Sequence, residues 1–186
     1  MKVDFGSVTT TLGLFQIKQP SGLTTISGGV TRYDMSGEQR NRGVELNAFG
    51  ELARGVRLLG GITYIQPKMT RTANPDTEGN SAVGVPRWMA NVGMEWDPSF
   101  APGLTLSARA LSTSWQYQNL ENPRRIPGWT RWDVGMRYAT RAFDHPVTLR
   151  ATVNNVFGKD YWSSASEGYL RLGSPRSVML SASIDF

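Results

Sequence analysis

The stretch Val147-Thr148-Leu149-Arg150-Ala151-Thr152-Val153-Asn154 alternates apolar and polar side chains without a break. A period of two is the spacing of a β-strand whose two faces meet different surroundings, because successive side chains point to opposite sides. The C-terminal run repeats it: Val178, Leu180, Ala182, Ile184 and Phe186 share one face, and Met179, Ser181, Ser183 and Asp185 the other. In residues 131–138, Trp132, Val134, Met136 and Tyr138 alternate with Arg131, Asp133, Gly135 and Arg137. Residues 87–96 set Trp88, Ala90, Val92, Met94 and Trp96 against Arg87, Met89, Asn91, Gly93 and Glu95. Further strands are expected at residues 104–115, 56–66, 39–52, 24–34 and 7–18, making nine. The pattern is weakest in 7–18, where Phe15 and Ile17 fall opposite Leu12 and Leu14. No segment carries helical periodicity and no linker divides the 186 residues, so one all-β unit over residues 1–186 is expected.

Composition narrows the class. Gly (20), Pro (10) and a 10% aromatic share suit many strands joined by turns. A mean hydropathy of −0.33, with no run of 18 apolar residues, excludes transmembrane helices. It does not exclude a transmembrane β-barrel, whose strands present only every second side chain to lipid. There is no cysteine, so disulfides, thiolate nucleophiles and Cys-held metals are excluded. The one histidine, His145, lies beside Pro146 in a polar turn, which leaves no His-rich metal site and a poor general base. Lys and Arg give a net charge of +5 but are scattered, unlike the clustered footprint of a nucleic-acid binder. The opening MKVDFGSVTTT has no apolar core of a signal peptide.

The connections carry a second pattern. Those at 53–55, 97–103 and 139–146 are short, and those at 67–85, 116–130 and 158–176 are long. Connections at 19–23 and 35–38 are short too, and apart from the early turn at 35–38 long and short alternate, as in an up-and-down meander with its long loops at one end. Outer-membrane barrels keep periplasmic turns short and extracellular loops long. Trp88 and Trp96, eight residues apart on the apolar face, would lie roughly 26 Å apart along a strand, close to the spacing of two aromatic girdles once tilted. The other face carries Arg57, Arg87, Arg109, Arg131, Arg137 and Arg150 against Glu45, Glu51, Glu95, Asp133 and Asp185, which suits a hydrated lumen. The fold expected is therefore an antiparallel up-and-down transmembrane β-barrel, here an incomplete segment of about nine strands. A small closed porin-like barrel and a soluble β-sandwich are the alternatives; the sandwich would make Trp88, Val92 and Leu149 a core between two sheets.

With strands and loops placed, the sequence resembles the C-terminal part of a TonB-dependent siderophore receptor. The residues that carry the resemblance are Arg42-Gly43-Val44-Glu45-Leu46 with Gly50, then Val85-Pro86-Arg87, then Ile126-Pro127-Gly128-Trp129-Thr130 leading to Asp133. Asn154-Asn155-Val156-Phe157-Gly158-Lys159-Asp160-Tyr161 and Gly173-Ser174-Pro175-Arg176 ahead of the last strand complete it. The resemblance implies a 22-stranded barrel with a plugged lumen, of which these would be the last nine strands. It also implies a terminal aromatic, Phe186, read by the outer-membrane assembly machinery, and extracellular loops at 67–85, 116–130 and 158–176.

The same resemblance implies a function. The parent protein would sit in the Gram-negative outer membrane and take up a ferric siderophore, energised by the TonB complex through an N-terminal plug. The siderophore holds the iron, so no cofactor is bound directly and no covalent chemistry is done. Candidate ligand contacts are Trp115, Tyr117, Arg124, Arg125, Tyr161, Trp162 and Tyr169, since aromatics stack on flat ligands and arginines pair with anionic chelates. In the competing reading, Trp115 and Trp162 belong to the aromatic girdle and the arginines bind lipopolysaccharide phosphates. The plug, coupling box and earlier strands are not found in these residues. The chain alone is therefore expected not to transport.

Overall fold

The computed structural model of the chain describes residues 1–142, 144–166 and 169–185; Phe186, with its expected role as an assembly signal, lies outside them. In chain order the strands are β1 (Lys2–Asp4), β2 (Val8–Ser27), β3 (Val30–Ala53), β4 (Val56–Arg71), β5 (Trp88–Trp96) and β6 (Leu104–Thr113). After them come β7 (Gln116–Tyr117), β8 (Arg125–Ile126), β9 (Trp129–Ala142), β10 (His145–Asn154), β11 (Trp162–Ser166), β12 (Tyr169–Leu172) and β13 (Ser177–Ile184). Nine of these lie side by side in one antiparallel sheet, in the order β1-β2-β3-β4-β5-β6-β9-β10-β13. The other four form two small hairpins inside long connections, β7 with β8 and β11 with β12.

The count of nine agrees with the sequence, but the N-terminal strands differ. The turns expected at 19–23 and 35–38 do not form; β2 and β3 run straight through them for 20 and 24 residues. Their turn is Gly28-Gly29, with φ of 58° and 77°. Two successive positive φ values define the tight hairpin turn that fits the strand twist, and glycine adopts them without strain. Pro20 lies within β2 all the same, opposite Glu38 of β3. Gly22 and Gly37 mark a bulge: Ser21 pairs with Gly37, Leu23 already with Asp34. The ninth strand is instead β1, whose residues pair with Thr9 to Thr11.

This correction removes the exception in the loop pattern. β2 and β3 are about twice the roughly 9–11 residues that cross a bilayer, so their far halves project beyond it at the end where the long loops gather. Short connections at 5–7, 54–55 and 97–103, and the one from β9 to β10, occupy the other end. β1 and β13 both run toward the short-turn end and both leave one edge unpaired. A closed antiparallel barrel containing this sheet thus needs an odd number of further strands.

The two faces keep the chemistry read from the sequence. Trp88, Val92 and Leu149 are 41%, 39% and 43% exposed, so no second sheet covers them and the sandwich alternative fails. On the polar face, the Arg57 guanidinium bridges Glu95 at 2.9 Å and Asp97 at 2.5 Å. The Thr105 hydroxyl donates to Asp97 Oδ1 at 2.7 Å and accepts from Arg137 at 3.2 Å. The Arg57 guanidinium and then the Thr105 hydroxyl hold the Asp97 carboxyl, in the short turn after β5, below its usual 3.8, at about 2. Prolines apart, the buried apolar side chains among the described residues are Met69, Ala82, Ile126 and Ala165. All four lie at the long-loop end.

Candidate functional site: the loop layer

The three long connections lock onto one another. Val83 forms a parallel bridge with Tyr117, and the Gly84 N–H donates to the Tyr117 carbonyl at 3.0 Å. Gly84, at φ 70°, is required here: a Cβ would run into the Ala165 carbonyl of the third loop. Asn122, itself at φ 63°, accepts from the Ser81 N–H at 2.8 Å and donates to the Ser81 carbonyl at 3.0 Å. The buried Gln116 amide reaches the Ser163 carbonyl at 3.2 Å. Side chains thus supply the hydrogen bonds that irregular backbone would otherwise lack.

Asn155 ties the last loop to the sheet. It is 1% exposed, at φ 53°, and its N–H donates to Asp133 Oδ1 at 2.8 Å. Its side chain accepts from the Lys159 N–H at 2.8 Å and donates to the carbonyls of Lys159 and Ser174 at 2.9 and 3.1 Å. The end of β10 therefore continues into a closed turn rather than a loose tether.

On this frame sit two aromatic–cation clusters. In the first, the Arg125 guanidinium lies 3.9 Å from the Trp115 ring centroid and 5.1 Å from that of Tyr117, donating also to the Tyr117 hydroxyl at 3.1 Å. The two rings meet edge to face at 5.2 Å, and Arg87 adds a second cation 5.4 Å from Trp115. Cations over ring faces are attracted by the ring quadrupole, which fixes their positions. In the second cluster Trp129 and Tyr161 lie 4.2 Å apart, and Arg131 donates to the Tyr161 hydroxyl at 3.3 Å and pairs with Asp133 at 3.1 Å. Gly173 makes room for Tyr161, since a Cβ there would overlap its ring. Trp129 Nε1 and Arg131 Nε are buried donors with no acceptor among the described residues.

Of the residues expected from the sequence, the structure thus unites Trp115, Tyr117 and Arg125 and puts Tyr161 in the other group. Arg124, Trp162 and Tyr169 are exposed and join neither cluster. Sequence reading missed Arg87, Trp129 and Arg131 as site residues. The signal for Trp129 was its parity with Arg131 and Asp133, which sets it on the polar face of β9. Stacked aromatic faces with fixed cations can hold a flat or anionic ligand. Among the described residues no group of three or more His, Cys, Asp or Glu is placed to hold a metal ion directly.

A single up-and-down sheet, apolar outside and charged within, with interlocked loops at one end, is the wall of a transmembrane β-barrel. The family model described as TonB dependent receptor-like, beta-barrel, matches residues 1–156, and the chain belongs to that family. Its members are outer-membrane transport receptors of Gram-negative bacteria. The chain is 40% identical over 178 residues to the ferrichrome receptor FcuA of Yersinia enterocolitica, covering 95% of this chain and 23% of that protein. The crystal structure of BauA, the ferric preacinetobactin receptor from Acinetobacter baumannii, superposes with a TM-score of 0.85 at 44% identity, over 100% of this chain and 28% of that one. The siderophore receptor PiuA from the same species gives 0.78 at 25% identity, over 97% of this chain and 26% of that one. The chain spans about a quarter of the length of the curated relatives it matches.

Proposed function

We propose that this chain forms the C-terminal part of the barrel of an outer-membrane receptor that imports a ferric siderophore. The observation that carries the reading is the rigid loop layer, which holds Trp115, Tyr117 and Arg125 on one ledge and Trp129, Tyr161 and Arg131 on another. Such ledges capture a ligand by stacking and charge, with no bond made or broken, so the reading is of a transporter and not an enzyme. The iron travels inside its chelator, and no cofactor of the protein's own is required. Energy would come from the TonB complex through an N-terminal plug outside these 186 residues, and the wall would be delivered to the membrane by the barrel assembly machinery. Lipid and lipopolysaccharide would surround it; nucleic acid has no place in the reading.

The test uses iron-starved cells of the source bacterium with and without the gene. Ferrichrome, ferrioxamine B and preacinetobactin, each loaded with radiolabelled iron, are supplied separately. Uptake of at least one that disappears on deletion, and on collapse of the inner-membrane proton gradient, supports the reading. Uptake of all three unchanged by deletion, with an immunoblot showing no outer-membrane band, would overturn it. The same blot reports whether the product is larger than the 20.5 kDa of this chain, as a full receptor requires.

A further inference from the structure

Just beyond the apolar belt, on its outward face, like charges stand directly opposite one another across three strands. Lys18 of β2 pairs with Arg40 of β3, and Arg40 pairs with Lys68 of β4. One rung nearer the belt, Arg42 lies between Gln16 and Gln66, its Nε donating to Gln16 Oε1 at 2.5 Å. The register runs unbroken from the rung Leu14–Val44–Tyr64 to the rung Lys18–Arg40–Lys68. Period-two alternation therefore puts these cations on the same face as Leu14 and Tyr64.

Directly opposed like charges destabilise a sheet, because their Cβ atoms are only about 5 Å apart. Offsetting groups are few. Lys18 Nζ reaches Glu38 Oε2 at 3.3 Å, but that carboxylate also accepts from the Thr70 hydroxyl at 2.6 Å. Lys68 Nζ donates to the neutral carbonyl of Gly79 at 2.8 Å. Among the described residues, four cations thus share one paired carboxylate where an apolar wall gives way to the headgroup layer. An anion arriving from outside the chain would relieve the repulsion.

We propose that Lys18, Arg40, Arg42 and Lys68 form a binding site for the phosphate groups of an outer-leaflet lipid. Two arginines offer planar forks that match phosphate oxygens, and two lysines add compact charges on either side. The lipid's acyl chains would lie against Leu14, Val44 and Tyr64 directly below. Charge complementarity and the position at the edge of the apolar belt both favour a lipid over a soluble anion. The inference rests on the outer-membrane reading proposed for the chain, which fractionation of the same cells scores separately.

The experiment uses the full protein extracted from membranes into neutral detergent. A hexa-acylated glucosamine disaccharide lipid carrying two phosphates, its dephosphorylated counterpart and inorganic phosphate are titrated in turn, with binding read by native mass spectrometry and stability by thermal unfolding. The site predicts binding of the phosphorylated lipid that weakens about fivefold for each cation removed, in Arg40→Gln and in Arg40→Gln with Lys68→Gln. Arg54→Gln, in the short turn at the opposite end, should bind as the parent does. The lipid-free Arg40→Gln protein should melt no lower than the parent, because a repulsion has gone; the charge-keeping Arg40→Lys should retain most binding. Equal binding of the dephosphorylated lipid, saturation by inorganic phosphate alone, or unchanged affinity in the double variant would each overturn the proposal.

Discussion

In the wall, Trp88, Val92 and Leu149 remain 41%, 39% and 43% exposed, whereas in the loop layer Ala82, Ile126 and Ala165 are 1%, 3% and 5% exposed. The wall buries almost nothing against itself. Its ladders of hydrogen bonds run strand to strand within the sheet and are open only along the outer edges of β1, β2 and β13, and its apolar side is suited to a solvent of hydrocarbon. The loop layer behaves as a small globular core, closed by Asn122, Gln116 and Asn155 and independent of lipid. One chain therefore holds two kinds of stability, one set by the medium and one set by packing.

The comparison breaks first at the wall. Val92 lies midway between Trp88 and Trp96 on β5, so Val92→Arg places a charge at the centre of the apolar belt and should destabilise the folded protein by about 2–4 kcal/mol. Leu59→Arg, on the opposite face where Leu59 is already 71% exposed, should shift stability by no more than about 0.5 kcal/mol. Denaturant titration of the purified protein in lipid vesicles separates the two; equal effects would mean that the faces have been assigned wrongly.

A smaller effect should appear in the loop layer alone. Asn155→Ala leaves the Lys159 N–H and the Lys159 and Ser174 carbonyls without their partner, and should weaken the last loop by about 2 kcal/mol. Protease added outside intact cells should then cut within 155–176 faster than in the parent, while the melting midpoint of the sheet holds. Loss of the folded sheet itself would show that the two regions are one cooperative unit.

The smallest effect lies at the short-turn end and sharpens the contrast by pH. The Asp97 carboxyl is depressed from 3.8 to about 2. A group with a lowered folded-state value contributes stability above its unfolded value and loses it as pH falls through the folded one. The thermal midpoint should therefore drop modestly between about pH 4 and pH 2, and Asp97→Asn should flatten that drop. An unchanged profile would remove Asp97 from the acid response.

Much of the wall was legible because lipid imposes a strict rule on every second residue. Residues 147–154 and 88–96 could be read almost to the residue for that reason. Residues 7–52 were misread where that rule lapses: beyond the membrane β2 and β3 face water on both sides, so Pro20, Gly22 and Gly37 resembled turns and the true turn at Gly28-Gly29 was hidden inside an expected strand. The loop site was half legible. Residue type alone suggested Trp115, Tyr117 and Arg125, which come together through β7 and β8. The pairing of Trp129 with Tyr161 joins residues far apart in the chain across two connections, and depends on the clearance at Gly173. No local pattern announces such a meeting.

The shared direction of β1 and β13 bears on how such walls can multiply. Meanders lengthen naturally by whole hairpins, each adding one strand up and one strand down. This sheet holds four hairpins and a half, so two copies set side by side in one membrane would meet along a parallel seam. Tandem duplication of this stretch could not, by itself, close an antiparallel pore. Any enlargement or shrinkage of an antiparallel ring that contains this sheet must come in whole hairpins, because a single added strand would run parallel to one of its neighbours.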